Sequence, residues 1–227
     1  MKLRALCMLA FTSLSSPREL HAQNDDWRPI ERREFCVTAG SIDHTADRMI
    51  IDDPEVRATM RTATPQFAEL RFTYLGPSTR TVRLGSGEVR RQIGLKLRAQ
   101  DTCNVVYAMW HIERDTNIAL AIKRNPGKHT HAECGDRGYI HTTRVKMPPV
   151  TAGSAHTLRA TLRGNQVEIH ADDRLVLKKG FDPADLDFDG PVGMRTDNAR
   201  FRFQYFVGRA DLGPLSKPLD MSLNPCH

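Results

Sequence analysis

The feature that most constrains the fold is a run of alternating apolar and polar side chains across residues 156–177. Turn pairs interrupt it at Gly164-Asn165 and at Asp172-Asp173. A period of two residues is typical of a strand with one buried face, and paired Gly, Asn or Asp residues between such strands indicate hairpins. The run therefore predicts two consecutive hairpins, a β-meander. Its apolar positions are Leu158, Ala160, Leu162, Val167, Ile169, Leu175 and Leu177.

Patterns of this kind extend over most of the chain from Phe67 to Val207. Turn signals rich in glycine, proline, asparagine and aspartate separate them, and neither a helix of normal length nor an internal repeat is evident. Many short strands joined by turns are typical of an all-β, antiparallel sandwich or barrel. The strand-like segments are 67–76, 91–100, 103–113, 118–125, 192–195 and 201–207, and Asp197-Asn198 is expected to form a turn between the last two.

Length and composition favour one domain. The chain has 227 residues, of which 40% are hydrophobic and 26% charged, so it can bury a sizeable core. Residues 23–66 contain Asp, Pro and Arg throughout, and we expect an irregular N-terminal segment there, before a β-sandwich at 67–208. Residues 209–227 are rich in proline and are expected to form a C-terminal tail.

The first 22 residues have the pattern of a signal peptide. Lys2 and Arg4 precede a short apolar stretch from Leu6 to Leu14, and Ala22 is a small residue before the predicted cleavage point. The apolar stretch is too short to span a bilayer, and no other segment has the pattern of a transmembrane helix. We therefore expect the protein to be secreted or to lie in the periplasm or cell envelope.

The cysteines fit an exported protein. Of the five, Cys7 lies in the predicted signal peptide, and an even number remains. Even numbers of cysteine in exported proteins suggest disulfides. Three pairings are open, and we favour Cys36–Cys226 with Cys103–Cys134. The first would tie the two ends of a sandwich whose first and last strands lie side by side, and the second would close a short loop.

Two segments resemble the concanavalin A-like lectin and glucanase superfamily, in which a hydrophobic strand, a glycine turn and a V-x-I/V-x-x-D/N-G-x-L/V hairpin recur. The sequence GPVGMRTDNARFRFQYFVG, from Gly190, resembles its closing strands, particularly those of laminin-G-like and keto-disaccharide hydrolase-like domains. The resemblance covers residues 67–208 and implies a jelly-roll sandwich. Such domains bind glycans, cleave them or mediate adhesion, so the fold alone does not decide the function. The matching positions of the first segment are His156, Leu158, Gly164, Val167, Ile169, Asp172, Asp173, Leu175 and Val176.

The resemblance also implies where a ligand would lie, because the concave sheet face is the usual binding surface of these domains. The polar side of the central strands would present Lys96, Arg98, Tyr107, His111 and Lys123 there, with His131 in a neighbouring loop. Cationic side chains beside an aromatic ring suit an anionic or uronic glycan. The alternative is an ordinary solvated sheet face. Trp110 lies on the opposite side of its strand and is expected in the core.

The formal net charge of +6 is compatible with acidic polysaccharide, anionic lipid or nucleic acid. The basic residues are scattered and form no recognisable nucleic-acid-binding module, so nucleic acid is not an expected partner. We expect a monomer whose partner is carbohydrate.

Metal and cofactor sites have weaker signals. His129 and His131 have a metal-ligand spacing on a strand and, with a Cys134 thiolate, could bind zinc. A disulfide at Cys134 would exclude that site. Asp185, Asp187 and Asp189 alternate in a loop that could bind calcium. No other cofactor is expected.

Three functions remain open. The first is binding of a glycan without catalysis. The second is cleavage of an acidic polysaccharide by a lyase or a glycoside hydrolase; in a lyase, His111, Tyr139 or Tyr107 would move protons. A glucanase is disfavoured because the paired-carboxylate strand of the glucanases is absent, and a nucleophile-elbow hydrolase because no Gly-x-Ser-x-Gly occurs. The third is a structural or adhesive role in the envelope.

Overall fold

The computed structural model describes residues 27–45, 48–62, 66–112, 115–135 and 138–208. The predicted signal peptide (1–22) and the predicted tail (209–227), which includes Cys226, lie outside the described residues. The strands are β1 (Trp27–Ile30), β2 (Phe35–Ala39), β3 (Asp43–His44), β4 (Met49–Ile51), β5 (Glu55–Met60), β6 (Phe67–Pro77), β7 (Gln92–Leu97), β8 (Val105–His111), β9 (Asn117–Lys123), β10 (Tyr139–Lys146), β11 (Ala155–Arg163), β12 (Gln166–Ala171), β13 (Arg174–Gly180), β14 (Gly193–Asp197) and β15 (Ala199–Gly208).

Two antiparallel sheets form a β-sandwich, which confirms the predicted fold class. The eight-stranded sheet has the order β13-β12-β11-β6-β15-β4-β3, and β1 also pairs with β15. The seven-stranded sheet has the order β10-β9-β8-β7-β14-β5-β2. The helical elements include one short helix, α1 (His131–Cys134), and 3-10 turns at Arg32–Glu34 and Pro183–Leu186. No helix in the described part of the chain is long and apolar enough to cross a membrane.

The core lies between the two sheets and follows the alternation of the sequence. On β8, Val106, Ala108 and Trp110 belong to the large inter-sheet cluster, whereas Tyr107 and Met109 belong to a small cluster on the other face. Trp110 is 1% exposed, and its ring lies edge-on to Phe72 of the facing sheet at 5.7 Å between ring centroids. Trp110 is therefore a core residue, as its position in the pattern predicts.

The predicted meander is present as β11, β12 and β13, which are paired in sequence order. Asp172 and Asp173 connect β12 to β13 with φ values of +49° and +61°. Two successive residues with positive φ form the tight turn that suits the right-handed twist of a hairpin, and aspartate is among the residues that tolerate this region.

The expectation of an irregular segment at residues 23–66 is wrong for the residues described there. Strands β1 to β5 lie in this segment and extend both sheets: β1 and β4 pair with β15, and β5 pairs with β14. Strands β1 to β4 have only two to five residues each, which is too few for a period of two to stand out in the sequence. The sandwich therefore includes residues from Trp27 onward.

Candidate functional site

Three rows of side chains cross the outer face of the seven-stranded sheet, the face turned away from the main core. The pairing register places Lys96 beside Tyr107 in the first row and Gly94 between Met109 and Arg195 in the second. The third row contains His111, Gln92, Asp197 and Glu55, and Arg57 extends the second. Directly opposed residues in antiparallel strands have neighbouring side chains. We call the group Lys96, Tyr107, His111, Arg57, Arg195 and Asp197 the outer-face cluster.

Three members of the cluster have polar groups without a protein partner. Lys96 and His111 are 8% exposed and Tyr107 is 7% exposed. Within the described residues, none of the three forms a hydrogen bond or an ion pair, although the ring of Tyr107 contacts Arg195. None of their polar atoms is among the fully buried side-chain atoms that lack a partner, so these atoms reach the surface, where a ligand can supply the partner.

The other three members are bound to one another. Asp197 is fully buried and accepts hydrogen bonds from Arg57 at 2.6 Å, from Arg195 at 2.8 Å and from Gln92 at 2.5 Å. Burial works against both charges in the Arg195–Asp197 pair, but their attraction holds the pKa of Asp197 below its usual range and raises that of Arg195. Asp197 therefore fixes the two guanidinium groups beside Lys96.

The environment lowers the pKa values of Lys96 and His111. Burial, followed by repulsion from Arg57 and Arg195, lowers the pKa of Lys96 to about 7. Burial, followed by repulsion from Arg90, Arg144 and Arg195, lowers the pKa of His111 to about 3. At neutral pH, His111 is therefore an uncharged donor and acceptor, and Lys96 is an amine that a bound anion would charge fully.

Gly94, at the centre of this face, has no side chain to project from the sheet. A Cβ atom at Gly94 would lie 2.3 Å from the carbonyl oxygen of Ala108 and 2.5 Å from the Sδ atom of Met109. The Met109 side chain therefore lies over Gly94, between the aromatic and cationic side chains of the adjoining rows. The surface combines an apolar centre with polar groups around it, which is the usual composition of a small-molecule site.

Two of the predicted ligand residues have other roles. Arg98 follows β7 with φ +45°, so it leaves the alternation of the strand. Its guanidinium donates to the carbonyl of Leu186 and, at 3.4 Å, to that of Gly164 in the β11–β12 turn. The prediction that Arg98 lies beside Lys96 on the binding face is therefore wrong. His131 is exposed in α1 and is not part of the sheet face.

Lys123 and Tyr139 lie at one end of the same face. The ammonium of Lys123 donates to the carbonyl oxygen of Gly135 at 3.2 Å and lies 4.8 Å from the ring centroid of Tyr139. Tyr139 also neighbours Tyr107, at 6.4 Å between ring centroids. Lys123 is thus hydrogen-bonded to the loop that contains Gly135, while the two tyrosines line one side of the cluster.

The histidine-rich loop is fixed by a disulfide. Cys103 and Cys134 are bonded with their Cα atoms 5.8 Å apart, as predicted. A His/His/Cys zinc site is therefore wrong, because Cys134 is not a thiolate. His129 instead contacts Asp101 at 2.8 Å. Cys36 is also disulfide-bonded, but Cys226 lies outside the described residues, so the pairing of these two remains a prediction.

The aspartates of the 185–189 loop have separate partners. Asp185 contacts His141 at 2.6 Å, Asp187 lies 3.9 Å from Arg124, and Asp189 accepts from the backbone of Gly190. Across the described ranges, no group of three or more His, Cys, Asp or Glu side chains is arranged to hold a metal ion. The proposed calcium ligands therefore do not converge there.

Sequence reasoning missed Arg57, Arg195, Gln92 and Asp197. The pattern predicts Asp197 in a turn with Asn198, whereas it is the last residue of β14. Arg57 lies in the segment expected to be irregular, yet Val56, Ala58 and Met60 alternate with it. That alternation is the signal that indicates β5 and places Arg57 on the outer face.

Comparisons with known proteins agree with the architecture. No protein-family model and no curated protein matches the chain. Among solved structures, the carbohydrate-binding module CBM66 from Bacillus subtilis superposes with a TM-score of 0.54 at 16% identity, over 75% of this chain and 91% of that one. The Crh5 transglycosylase in complex with NAG gives 0.51 at 12% identity, over 82% and 85%. The likeness confirms the concanavalin A-like, jelly-roll fold and shows the fold alone.

Proposed function

We propose that this protein binds carbohydrate through the outer-face cluster of its seven-stranded sheet. The observation that carries the proposal is that Lys96, Tyr107 and His111 are buried by nine tenths, share one sheet face and have no hydrogen-bond partner among the described residues. A saccharide offers hydroxyl groups to the neutral His111 and to the Tyr107 hydroxyl, and an apolar ring face to Tyr107 and Met109. The solved relatives of similar fold include a carbohydrate-binding module and a transglycosylase, which is consistent with this class of ligand.

The charge of the cluster favours an acidic saccharide. Arg57 and Arg195 share the one buried carboxylate of Asp197, and Glu55 contacts Arg57 at 3.2 Å from an exposed position. Lys96 has no carboxylate of its own. A uronate carboxylate or a sulfate beside Lys96 would supply the missing negative charge through a charge-assisted hydrogen bond.

We further propose that the protein acts outside the cytoplasm, as a monomer. The Cys103–Cys134 disulfide is of the kind that persists in oxidising compartments, and the N-terminal sequence has the pattern of a signal peptide.

Calorimetric titration with a short oligogalacturonate and a neutral cello-oligosaccharide tests the proposal. We expect binding of the acidic ligand, weakened about tenfold or more in Lys96→Met, because a charge-assisted hydrogen bond contributes roughly 1.5–3 kcal/mol. We also expect the affinity to fall as the pH rises above about 7, because Lys96 then loses its charge in the free protein.

The matched control is Lys178→Met, which removes a half-exposed lysine from the opposite sheet. It should leave the affinity unchanged. Equal binding of acidic and neutral ligands would contradict the acidic preference but support carbohydrate binding. No binding of any uronic, sulfated or neutral glycan would contradict the proposal and favour a structural or adhesive role in the envelope.

A second candidate is a polysaccharide lyase that acts on the same class of ligand. Tyr107 lies beside Lys96 and contacts Arg195, so a base would lie next to cations that neutralise the uronate carboxylate. The base would take the proton alpha to the carboxylate, the bond to the leaving oxygen would break, and that oxygen would accept a proton. His111 lies four residues along β8, about 13 Å from Tyr107, so Tyr139 is the nearer partner for Tyr107.

The ultraviolet absorbance of an unsaturated product distinguishes the two functions. Product that forms with the native protein, and is lost in Tyr107→Phe, supports the lyase. Binding without product contradicts the lyase. Glycoside hydrolysis by two carboxylates has no support in the three rows of the outer face. Asp197 and Glu55, the carboxylates of those rows, are both ion-paired with arginine.

A further inference from the structure

A second group of chemistry-bearing residues lies at the start of β11, away from the outer-face cluster. The Oγ atom of Ser154 lies 2.8 Å from Nε2 of His156. Nδ1 of the same ring lies 2.9 Å from the Oδ2 atom of Asp172. The three side chains therefore form one continuous chain in the order serine, histidine, carboxylate, with each distance in the range of a hydrogen bond.

The carboxylate end of this chain is fixed by the backbone. The Oδ1 atom of Asp172 accepts from the backbone N–H of Thr157 at 2.9 Å, and the N–H of Asp172 donates to the carbonyl of Thr157 at 2.9 Å. Oδ2 is thereby directed at the imidazole. A carboxylate held in this way selects the tautomer of the histidine and stabilises its protonated form.

The imidazole is held by aromatic rings. The ring centroid of His156 lies 5.0 Å from that of Trp110 and 5.8 Å from that of Phe72. The histidine is therefore fixed between the core on one side and the serine and carboxylate at its two nitrogen atoms. A general base needs this fixed orientation toward the hydroxyl that it deprotonates.

A surface cavity adjoins His156 and Asp172, although Ser154 is not one of its lining residues. His156 and Asp172 line a cavity of about 320 Å³ together with Phe72, Arg48 and Arg71. The volume suits a small acyl group. The wall carries the two arginines and also Asp172 and Asp173, and the guanidinium of Arg71 is ion-paired with Glu69 at 2.6 Å.

We propose that Ser154, His156 and Asp172 hydrolyse small acyl esters, such as an acetyl group on an alcohol. The Ser154 hydroxyl oxygen attacks the ester carbonyl carbon, and its proton passes to Nε2 of His156. The bond from carbon to the alcohol oxygen breaks, and the alcohol leaves with that proton. Water then attacks the acyl-serine with the same base, which releases the acid and restores Ser154. Asp172 is the positioning residue.

The hydroxyl of Ser154 has a second acceptor, the carbonyl oxygen of Thr151 at 2.6 Å. Before attack, its proton must lie toward Nε2 rather than toward this carbonyl. The sequence has no Gly-x-Ser-x-Gly, but the nucleophile of a triad is recognised by its geometry, and unrelated folds arrange the same three groups in different chain orders.

The test uses the whole protein, an alkyl fluorophosphonate that labels activated serines, and 4-nitrophenyl acetate. We expect labelling of Ser154, located by mass spectrometry, and ester turnover, both lost in Ser154→Ala. Ser41→Ala is the matched control, because the Ser41 hydroxyl donates to Asp53 at 2.6 Å; it should keep both activities.

Asp172→Asn tests whether Asp172 acts in the reaction or only stabilises the fold. Asparagine tolerates the positive φ of this position and keeps an oxygen for the Thr157 N–H. We expect kcat to fall about 10²–10⁴-fold with little change in KM, and the melting temperature to stay near that of the native protein. Unlabelled native protein, or turnover by Ser154→Ala equal to that of the native protein, would overturn the proposal. Because this site does not depend on glycan binding, either proposal can fail while the other holds.

Discussion

At the scale of single residues, the outer-face cluster contains more buried basic side chains than buried carboxylates to pair with them. One carboxylate, Asp197, holds two arginines, while Lys96 and His111 remain without partners among the described residues. Charges taken from water are costly unless they are paired. The cluster avoids part of this cost by lowering the pKa values of Lys96 and His111, so that both lose their protons more readily than in water.

His111 should therefore make the protein sensitive to acid. Its folded pKa of about 3 lies below the ordinary value of 6.5, so between these values the unfolded chain binds a proton that the folded chain excludes. The stability contribution is complete above about pH 6.5 and is lost as the pH falls toward 3. We expect His111→Gln to reduce the loss of unfolding free energy between pH 7 and pH 4.5 by about 2 kcal/mol.

Denaturant titrations at several pH values measure this effect. The control is His44→Gln, which removes an exposed imidazole. Identical pH dependence of the native protein and of His111→Gln would contradict the account.

At the scale of elements, the close pairing of β7 and β8 determines the shape of the candidate site. Gly94 lies opposite Met109 in this pair, and the Met109 side chain covers the space that a larger residue would need. Gly193 on β14 is similarly confined, because a Cβ atom there would lie 2.3 Å from the carbonyl oxygen of Ala58. The outer face is low where these glycines lie and is bounded by long side chains on either side.

Gly94→Ala tests this packing. The added Cβ would lie 2.3 Å from the backbone oxygen of Ala108. The backbone of a strand in the middle of a sheet cannot shift without weakening its hydrogen bonds to the neighbouring strands. We expect a loss of about 1–3 kcal/mol in unfolding free energy, together with weaker glycan binding because Met109 must shift. Denaturant midpoints and calorimetry measure the two effects.

Gly180→Ala is the matched control for this change. No atom lies within 4 Å of the position that a Cβ would occupy there, so its stability should stay within about 0.5 kcal/mol of the native value. If Gly94→Ala were equally harmless, the packing argument would be wrong.

At the scale of the whole molecule, the N-terminal strands are part of the sandwich. Phe35 of β2 is fully buried, and its ring lies edge-on to Tyr205 of the facing sheet at 5.1 Å between ring centroids. Val56 and Met60 of β5 are also fully buried in the same core. Strands β2 and β5 therefore close one side of the core.

Phe35→Ala should consequently destabilise the protein as a central core truncation does, by about 3–5 kcal/mol. If residues 27–60 were an irregular extension outside the core, Phe35→Ala would lower the unfolding free energy far less. Phe35→Leu fills more of the space and should cost less than half as much. Thermal unfolding of both variants checks the prediction, and a loss below about 1 kcal/mol for Phe35→Ala would contradict the position of β2 in the core.

The alternation of apolar and polar residues is sufficient to predict most of the strands and the buried side of each. The alternation in 103–113 correctly separates Trp110 from Tyr107 and His111, because successive side chains of a strand point to opposite faces. The same rule failed for Arg98, where a positive φ ends the alternation, and for the short strands before Phe67.

The contacts between side chains of distant strands follow from the fold and not from the local pattern. Arg57 and Asp197 are 140 positions apart in the chain, and Gln92 and Asp197 are 105 positions apart. Contacts of this kind depend on the order and register of strands that are distant in sequence, and local periodicity carries no information on either. The sequence therefore predicted the sheet face that presents Lys96, Tyr107 and His111, whereas the fold supplied the arginines and the carboxylate that set their charge.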